Sequence, residues 1–119
     1  MAKSHKKKQG KRVLTKRFIK LLAVNPNPVQ NLELLKTAPD EVIKTICNAA
    51  YNLTNGAVPL KPKQKSFFKK YKLPITKLVQ KGPSIQQKRK TLVQEGGGFF
   101  LPLLLSTVLG ALPSLLLSR

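Results

Sequence analysis

Apolar residues recur at helical spacing along most of this chain, and no segment alternates apolar and polar positions over the length of a strand. A first helix is predicted from Arg12 to about Val24, because Pro26 and Pro28 follow it. Its apolar residues are Leu14, Phe18, Leu21 and Leu22. Arg12, Lys16 and Lys20 recur at every fourth position and predict a separate basic face.

The next two helices are predicted from proline and capping signals. A short helix is expected to begin near Pro28, and a longer one to run from about Pro39 to Leu53. Thr37 and Asp40 fit a capping box at the start of the longer helix. Asn55 and Gly56 provide its end. Its apolar residues are Val42, Ile43, Ile46, Cys47, Ala50 and Leu53.

Residues 58–95 predict two or three short, lysine-decorated helices, the last of them capped by Ser84. Their boundaries are marked by Pro62, Pro74, Gly82 and Pro83. Phe67, Phe68 and Tyr71 are expected to pack in a core, with stacking on nucleic-acid bases as the alternative. The predicted fold class is all-α, a small bundle of short helices with a disordered basic N-terminal arm and a hydrophobic C-terminal helix.

Charge divides the 119 residues into blocks. There are 23 lysines and arginines against 4 acids, a net charge of +19, which favours polyanionic partners. The expected organisation is a disordered basic arm (1–11), a helical basic body (12–94), a glycine hinge (95–98) and a hydrophobic tail (99–119) that is membrane-active or membrane-spanning. The N-terminal stretch "KSHKKKQGKR" also fits a nuclear import signal.

The basic stretches are "KSHKKKQGKR", "KPKQK", the pair Lys69–Lys70 and "KRK" at Lys88–Lys90. They are rich in lysine and poor in arginine, which suits phosphate neutralisation better than reading of base edges. They predict sequence-independent binding of double-stranded DNA, with an anionic membrane as the alternative polyanion. The candidate binding residues are Lys6, Lys7, Lys8, Lys11, Arg12, Lys16, Arg17, Lys20, Lys69, Lys70, Lys88, Arg89 and Lys90.

The uncharged tail from Phe99 to Leu117 has the length of a bilayer-spanning helix, roughly 30 Å. Burial in the core is the alternative. Ser106, Gly110 and Ser114 recur at every fourth position and predict close helix packing in lipid. The residues expected to contact the membrane are Phe99, Phe100, Leu101, Leu103, Leu104, Leu105, Val108, Leu109, Leu112, Leu115, Leu116 and Leu117.

Three glycines, Gly96, Gly97 and Gly98, separate body and tail. They predict either a flexible hinge or an exposed site for a protease. No catalytic site can be assembled from one histidine, His5, one cysteine, Cys47, and four acids. We therefore expect no enzyme activity, no metal and no cofactor. Cys47 is expected to be a small buried apolar residue.

Two motifs carry a resemblance to a known group. The first comprises Asn52, Asn55, Gly56, Val58, Pro59 and Leu60. The second comprises Lys88, Arg89, Leu92, Val93, Gln94, Gly96, Gly97, Gly98, Phe99, Leu101 and Pro102. In this order, over about residues 30–112, they resemble the small basic proteins encoded beside capsid genes in polinton (maverick) elements and adintoviruses, DNA viruses related to adenoviruses.

That group is similar in layout to the adenovirus minor core protein precursor. The resemblance implies a virion-associated minor core or minor capsid protein that neutralises viral DNA and contacts capsid or membrane through its tail. It also implies capsid proteins and a viral cysteine protease as candidate partners. The implied locations are the virion, the host nucleus and a membrane. The alternative is a tail-anchored or membrane-disrupting protein whose basic body binds anionic lipid.

Overall fold

Seven α-helices account for the regular secondary structure within residues 2–111 of the computed structural model, in which side chains are described for residues 13–111. Along the chain they are α1 (Ala2–Val24), α2 (Pro28–Thr37), α3 (Asp40–Thr54), α4 (Pro62–Lys70), α5 (Lys72–Val79), α6 (Ile85–Gln94) and α7 (Gly97–Ala111). The all-α class predicted from the sequence is confirmed.

The first helix is longer than predicted, because its backbone is helical from Ala2 rather than from Arg12. The arm over residues 1–11 was expected to be disordered when free. Its side chains lie outside the described residues, and disorder of the arm in solution stays a prediction.

Helix boundaries follow the capping signals, with one exception. The Asn27 side chain accepts from the backbone N–H of Val29 at 3.0 Å and caps α2. Ser84 and Gln87 form the reciprocal cap of α6, with bonds of 3.2 and 2.9 Å. The capping box predicted at Thr37 is wrong, because the Thr37 hydroxyl donates back to the carbonyl of Glu33 at 3.2 Å, within α2.

The core lies where α3 and α7 meet. Helix α7 packs against α1, α2, α3 and α6, and α3 also packs against α1, α5 and α6. Side chains from six of the helices are fully buried there, among them Ile19, Leu35, Ile43, Ile46, Leu78, Leu92, Phe100, Leu101, Leu104 and Leu105. The predicted tail therefore contributes a central part of the body's core.

Helix α1 turns a different side toward the core than its leucines predict. Ile19 and Leu22 are fully buried, whereas Leu14 and Leu21 are 44% and 45% exposed. The side predicted from Leu14 and Leu21 is thus partly wrong. The reason is that both sides of this helix carry apolar residues, and the periodicity of the segment does not distinguish them.

Arg89 of α6 joins three segments of the fold. Its guanidinium donates to the carbonyl oxygens of Leu35 and Ala38 at 2.7 and 2.6 Å, and to a carboxylate oxygen of Asp40 at 2.8 Å. These acceptors lie at the end of α2 and the start of α3. The planar fork of an arginine suits this arrangement because it presents several N–H donors in one plane. Arg89 therefore holds α6 against the α2–α3 junction.

Candidate nucleic-acid interface

Every acidic side chain of the protein is already paired with a cation of the fold. Glu33 contacts Lys36 at 3.4 Å and Glu41 contacts Lys44 at 3.5 Å, both along one helix. Two pairs join segments that are distant along the chain, Lys77–Glu95 at 2.9 Å and Arg89–Asp40 at 2.8 Å. The body thus has no acid left to neutralise its remaining positive charge.

The remaining cations form a large excess. Sixteen lysines and arginines lie within residues 13–111, and four of them are the partners of the four acids. Twelve described cations therefore have no carboxylate partner. A surface with this imbalance attracts polyanions over a distance of roughly 10 Å at moderate salt.

Six of these twelve lie in one short segment around α4. The segment, which we call the lysine segment, is residues 61–72, and its cations are all exposed: Lys61, Lys63, Lys65, Lys69, Lys70 and Lys72. Helix α4 buries only Phe68 and makes no extensive contact with another described helix. The lysine segment therefore lies at the periphery of the fold, where a long partner has access to it.

Its arrangement works against the stability of the helix. Lys61, Lys65 and Lys69 follow each other at four-residue spacing, and like charges at this spacing repel. The first turn of α4 carries no acid, although the helix dipole favours anions there. Gln64 supplies the cap through its side-chain oxygen, which accepts from the Lys61 N–H at 2.9 Å. A bound polyanion would relieve both electrostatic costs.

Two grooves border the lysine segment, one on each side of α4. One is lined by Pro62, Lys63, Ser66, Phe67 and Lys70. The other includes Lys69, Lys72 and Thr76 above an apolar floor that contains Phe68. Phosphate oxygens accept hydrogen bonds from lysine and hydroxyl groups alike, so both grooves offer phosphate contacts beside apolar surface.

The aromatic residues of the segment belong mainly to the core. Phe68 is buried, and the Phe67 ring lies 5.5 Å from it and 5.3 Å from Tyr71. Tyr71 in turn lies 5.3 Å from Phe100 of α7. The expectation of core packing is confirmed, and these contacts fix α4 to the body.

The predicted binding residues differ in their exposure. Arg17, Lys20, Lys69, Lys70 and Lys90 are exposed, and Lys16 and Lys88 are partly buried. Arg89 differs from the prediction, since its guanidinium is engaged with Leu35, Ala38 and Asp40. The side chains of Lys6, Lys7, Lys8, Lys11 and Arg12 lie outside the described residues.

Four exposed lysines of the same surface were not among the predicted residues. They are Lys61, Lys63, Lys65 and Lys72. Lys61, Lys63 and Lys65 lie in the basic stretch "KPKQK", and the longer run "KPKQKSFFKKYK", in which no acid interrupts six lysines, also includes Lys72.

The tail residues within α7 lie in the body. Side chains with no exposed surface are Phe100, Leu101, Leu104, Leu105 and Val108, and Leu103 and Leu109 are partly buried against the core. Only Phe99 of the predicted membrane residues in this helix is largely exposed. The alternative of core burial thus describes this part of the tail. Leu112, Ser114, Leu115, Leu116 and Leu117 lie outside the described residues, and membrane insertion stays a prediction.

The two described residues of the small-residue stripe, Ser106 and Gly110, face outward. Ser106 and Gly110 are exposed, and the Ser106 hydroxyl donates to the carbonyl of Pro102 at 2.7 Å. The expected helix packing along this stripe is therefore not found among the described residues. The stripe instead forms the outer side of a helix that is apolar on its other sides.

The three glycines form a close-packed junction, which differs from the expected flexible hinge or exposed protease site. Gly97 and Gly98 are buried in the first turn of α7, and Gly96 has a positive φ of 91°. A Cβ on Gly98 would lie 2.5 Å from the carbonyl oxygen of Pro28, and one on Gly97 would collide with the carbonyl of Leu92. The glycines permit the approach of α7 to α2 and α6.

The described residues contain no candidate metal centre. No three histidine, cysteine or acidic side chains in this part of the chain lie close enough to hold a metal ion. Cys47 is buried, as predicted, and burial raises the pKa of its thiol, although the positive charge of Lys88 lowers it in part. A thiol of this kind is a poor nucleophile at neutral pH.

Within residues 2–111 no single helix has both the length and the hydropathy needed to cross a membrane. Helices α6 and α7 together meet these criteria by length and composition alone, with a bend of 109° between them. No known family, curated protein or solved structure matches this chain.

Proposed function

We propose that this protein binds double-stranded DNA independently of sequence, as a non-enzymatic charge-neutralising protein. The observation that supports the proposal best is the lysine segment, with six exposed cations and no acidic partner for any of them among the described residues. Lysine neutralises phosphates as a point charge and does not read base edges bidentately. In the setting implied by the resemblance, the DNA would be a viral genome in a virion.

The binding energy in this proposal comes largely from counterion release. If each of the six lysines of the segment neutralises one phosphate, the logarithm of the binding constant falls with the logarithm of salt concentration with a slope of about −5. The basic arm adds further cations when it follows the phosphate backbone. Both contributions predict affinity that depends on salt and not on base sequence.

The test is a titration of two duplexes of unrelated sequence with the full-length protein. Fluorescence anisotropy measures the binding at several salt concentrations. We expect equal affinities and a steep salt slope. The variants Lys65→Gln and Lys69→Gln should each reduce the slope by about 1.

Matched controls are Lys36→Gln and Lys44→Gln, because these exposed lysines are already paired with Glu33 and Glu41. They should leave the slope almost unchanged. Preference for one duplex, or an equal loss of slope in the control variants, would contradict the proposed interface.

Deletion of residues 2–12 separates the arm from the body, because it removes six cations and leaves the described side chains intact. The proposal expects weaker binding that still responds to Lys65→Gln and Lys69→Gln. If the deletion abolishes all binding, the lysine segment is not a DNA interface.

A further inference from the structure

One side of α1 is exposed and mostly apolar. Its four apolar residues are Val13, Leu14, Leu21 and Val24, of which Val24 is 75% exposed. The exposed cations Arg17 and Lys20 lie among them. By helical geometry all six fall within about 120° of the circumference, so they form one continuous strip. We call this strip the α1 face.

The α1 face continues into an apolar groove between α1 and α7. The groove lies between Leu21, Ala23 and Val24 of α1 and two residues of α7. Its full lining also contains two cations: Arg17, Lys20, Leu21, Ala23, Val24, Ser106 and Leu109. Leucine and valine are thus exposed beside two cations that have no carboxylate partner among the described residues. Solvation alone gives no reason for apolar side chains to gather here.

We propose that the α1 face binds an anionic membrane surface, with α1 lying in the plane of the lipid headgroups. A surface that presents leucine and valine beside lysine and arginine suits the boundary between headgroups and acyl chains, because its apolar side chains enter the boundary while its cations stay at the headgroups. Its cations are attracted to the negative surface of lipids such as phosphatidylserine. This interaction is independent of the DNA binding proposed above and uses another surface.

Two other occupants fit the α1 face less well. A second copy related by a two-fold axis would bring Arg17 and Lys20 near their own counterparts, between chains that each carry a charge of +19. A nucleic acid would leave the exposed leucine and valine side chains without suitable partners, since phosphates take hydrogen-bond donors. The mixture of apolar and basic groups matches a lipid surface.

The footprint is centred on the C-terminal half of α1. Near Leu14 a neighbouring groove includes Asp40 and Glu41, which are paired with Arg89 and Lys44. These acids weaken the attraction to anionic lipid at that end. The part from Arg17 to Val24 has no acid lining its groove, and it therefore makes the main contact.

The experiment is co-sedimentation of the full-length protein with two kinds of vesicle. One consists of phosphatidylcholine alone, and the other of equal parts phosphatidylcholine and phosphatidylserine. The wild type should bind the second kind. The double variant Leu21→Ser with Val24→Ser should bind the anionic vesicles at least about tenfold more weakly, because it loses the apolar area that enters the lipid.

The matched control is Leu73→Ser, because Leu73 of α5 is 74% exposed and lies outside the α1 face. It should bind vesicles like the wild type. The variant Arg17→Gln with Lys20→Gln should lose affinity only for the anionic vesicles. Thermal unfolding and duplex binding of the Leu21 and Val24 variant should match the wild type, which separates this proposal from the DNA proposal.

Three outcomes would overturn the proposal. The wild type does not bind anionic vesicles at all. The Leu21 and Val24 variant binds them as tightly as the wild type, which would place the lipid contact elsewhere, for example on an apolar segment of the tail. In the third outcome, the wild type self-associates, whereas the Leu21 and Val24 variant is monomeric and binds vesicles like the wild type. The α1 face would then be a contact between copies.

Discussion

The side-chain amide of Asn31 donates a hydrogen bond to the backbone carbonyl of Gly98, 67 residues further along the chain, at 3.3 Å. The same amide donates to the carbonyl of Asn25 at 3.0 Å. Asn31 is fully buried. It therefore connects the start of α7 with the turn between α1 and α2, at the point where the sequence predicts a hinge.

Replacement of Gly98 by alanine should destabilise the fold. The new Cβ would lie 2.5 Å from the carbonyl oxygen of Pro28 and 3.2 Å from the Leu32 side chain. Because a backbone group is one of the obstacles, α2 and α7 must move apart, and we expect a cost of about 1–3 kcal/mol in the free energy of unfolding. Chemical denaturation followed by circular dichroism measures it.

Gly110→Ala is the matched control, since nothing lies within 4 Å of a Cβ at that position of the same helix. Alanine favours the helix by up to about 1 kcal/mol over glycine, so the stability should be equal or higher. Equal stability of the two variants would mean that Gly98 is not closely packed.

The two partners of the Arg89–Asp40 ion pair should contribute unequally to the free energy of unfolding. Arg89→Gln removes the donors to the carbonyl oxygens of Leu35 and Ala38 as well as the contact with Asp40, and should cost about 2 kcal/mol. Asp40→Asn removes only the exposed partner, and should cost less than about 1 kcal/mol. Urea denaturation of both variants checks the difference, and equal losses would assign the stabilisation to the carboxylate instead.

Helix caps and helix ends that depend on a few neighbouring residues are predicted correctly from the sequence. The Ser84 cap, the helix end at Asn55 and Gly56, and the strongly periodic α3 are examples. The capping box at Thr37 failed although it is local too, since the threonine hydroxyl has a competing acceptor one turn back in α2. Motif spacing alone does not decide whether the hydroxyl accepts from the following helix or donates to the preceding one.

The position of α7 was not readable in the same way. Its residues are apolar on almost every side, so their pattern does not distinguish a core helix from a membrane helix. The decision depends on whether other helices cover it, and that is a property of the tertiary structure. For the same reason the sequence identifies "KPKQK" as basic but does not show that Lys61 and Lys65 are exposed, because their exposure depends on the peripheral position of α4.

The buried Cys47 predicts a stability change at alkaline pH. Burial raises the pKa of its thiol in the folded state, so the folded protein keeps the proton over a pH range in which the unfolded chain loses it. The free energy of unfolding should therefore decrease as the pH rises from the ordinary thiol pKa toward the raised one. Denaturation of the wild type and of Cys47→Ala over this range isolates the effect, because the lysines titrate in both.

The same burial should slow alkylation. Iodoacetamide should modify Cys47 much more slowly in the folded protein than in denaturant at the same pH, because the thiolate is scarce and inaccessible. Equal rates would show that the α3 core opens readily.

The sharpest test of the tail concerns Leu104 and Phe99, which lie on the same helix with opposite exposure. Leu104 is fully buried and Phe99 is 62% exposed. Leu104→Lys would place an ammonium group among apolar side chains without a partner, and should cost more than about 3 kcal/mol, a large part of the stability of a domain of this size. Phe99→Lys adds the same charge on the outer side and should leave the thermal transition nearly unchanged.

If α7 were a segment independent of the body, both variants would unfold at the wild-type temperature. Loss of the transition in Leu104→Lys alone would establish α7 as a core helix in solution, so that any insertion of the tail into a membrane would first require α7 to leave the body.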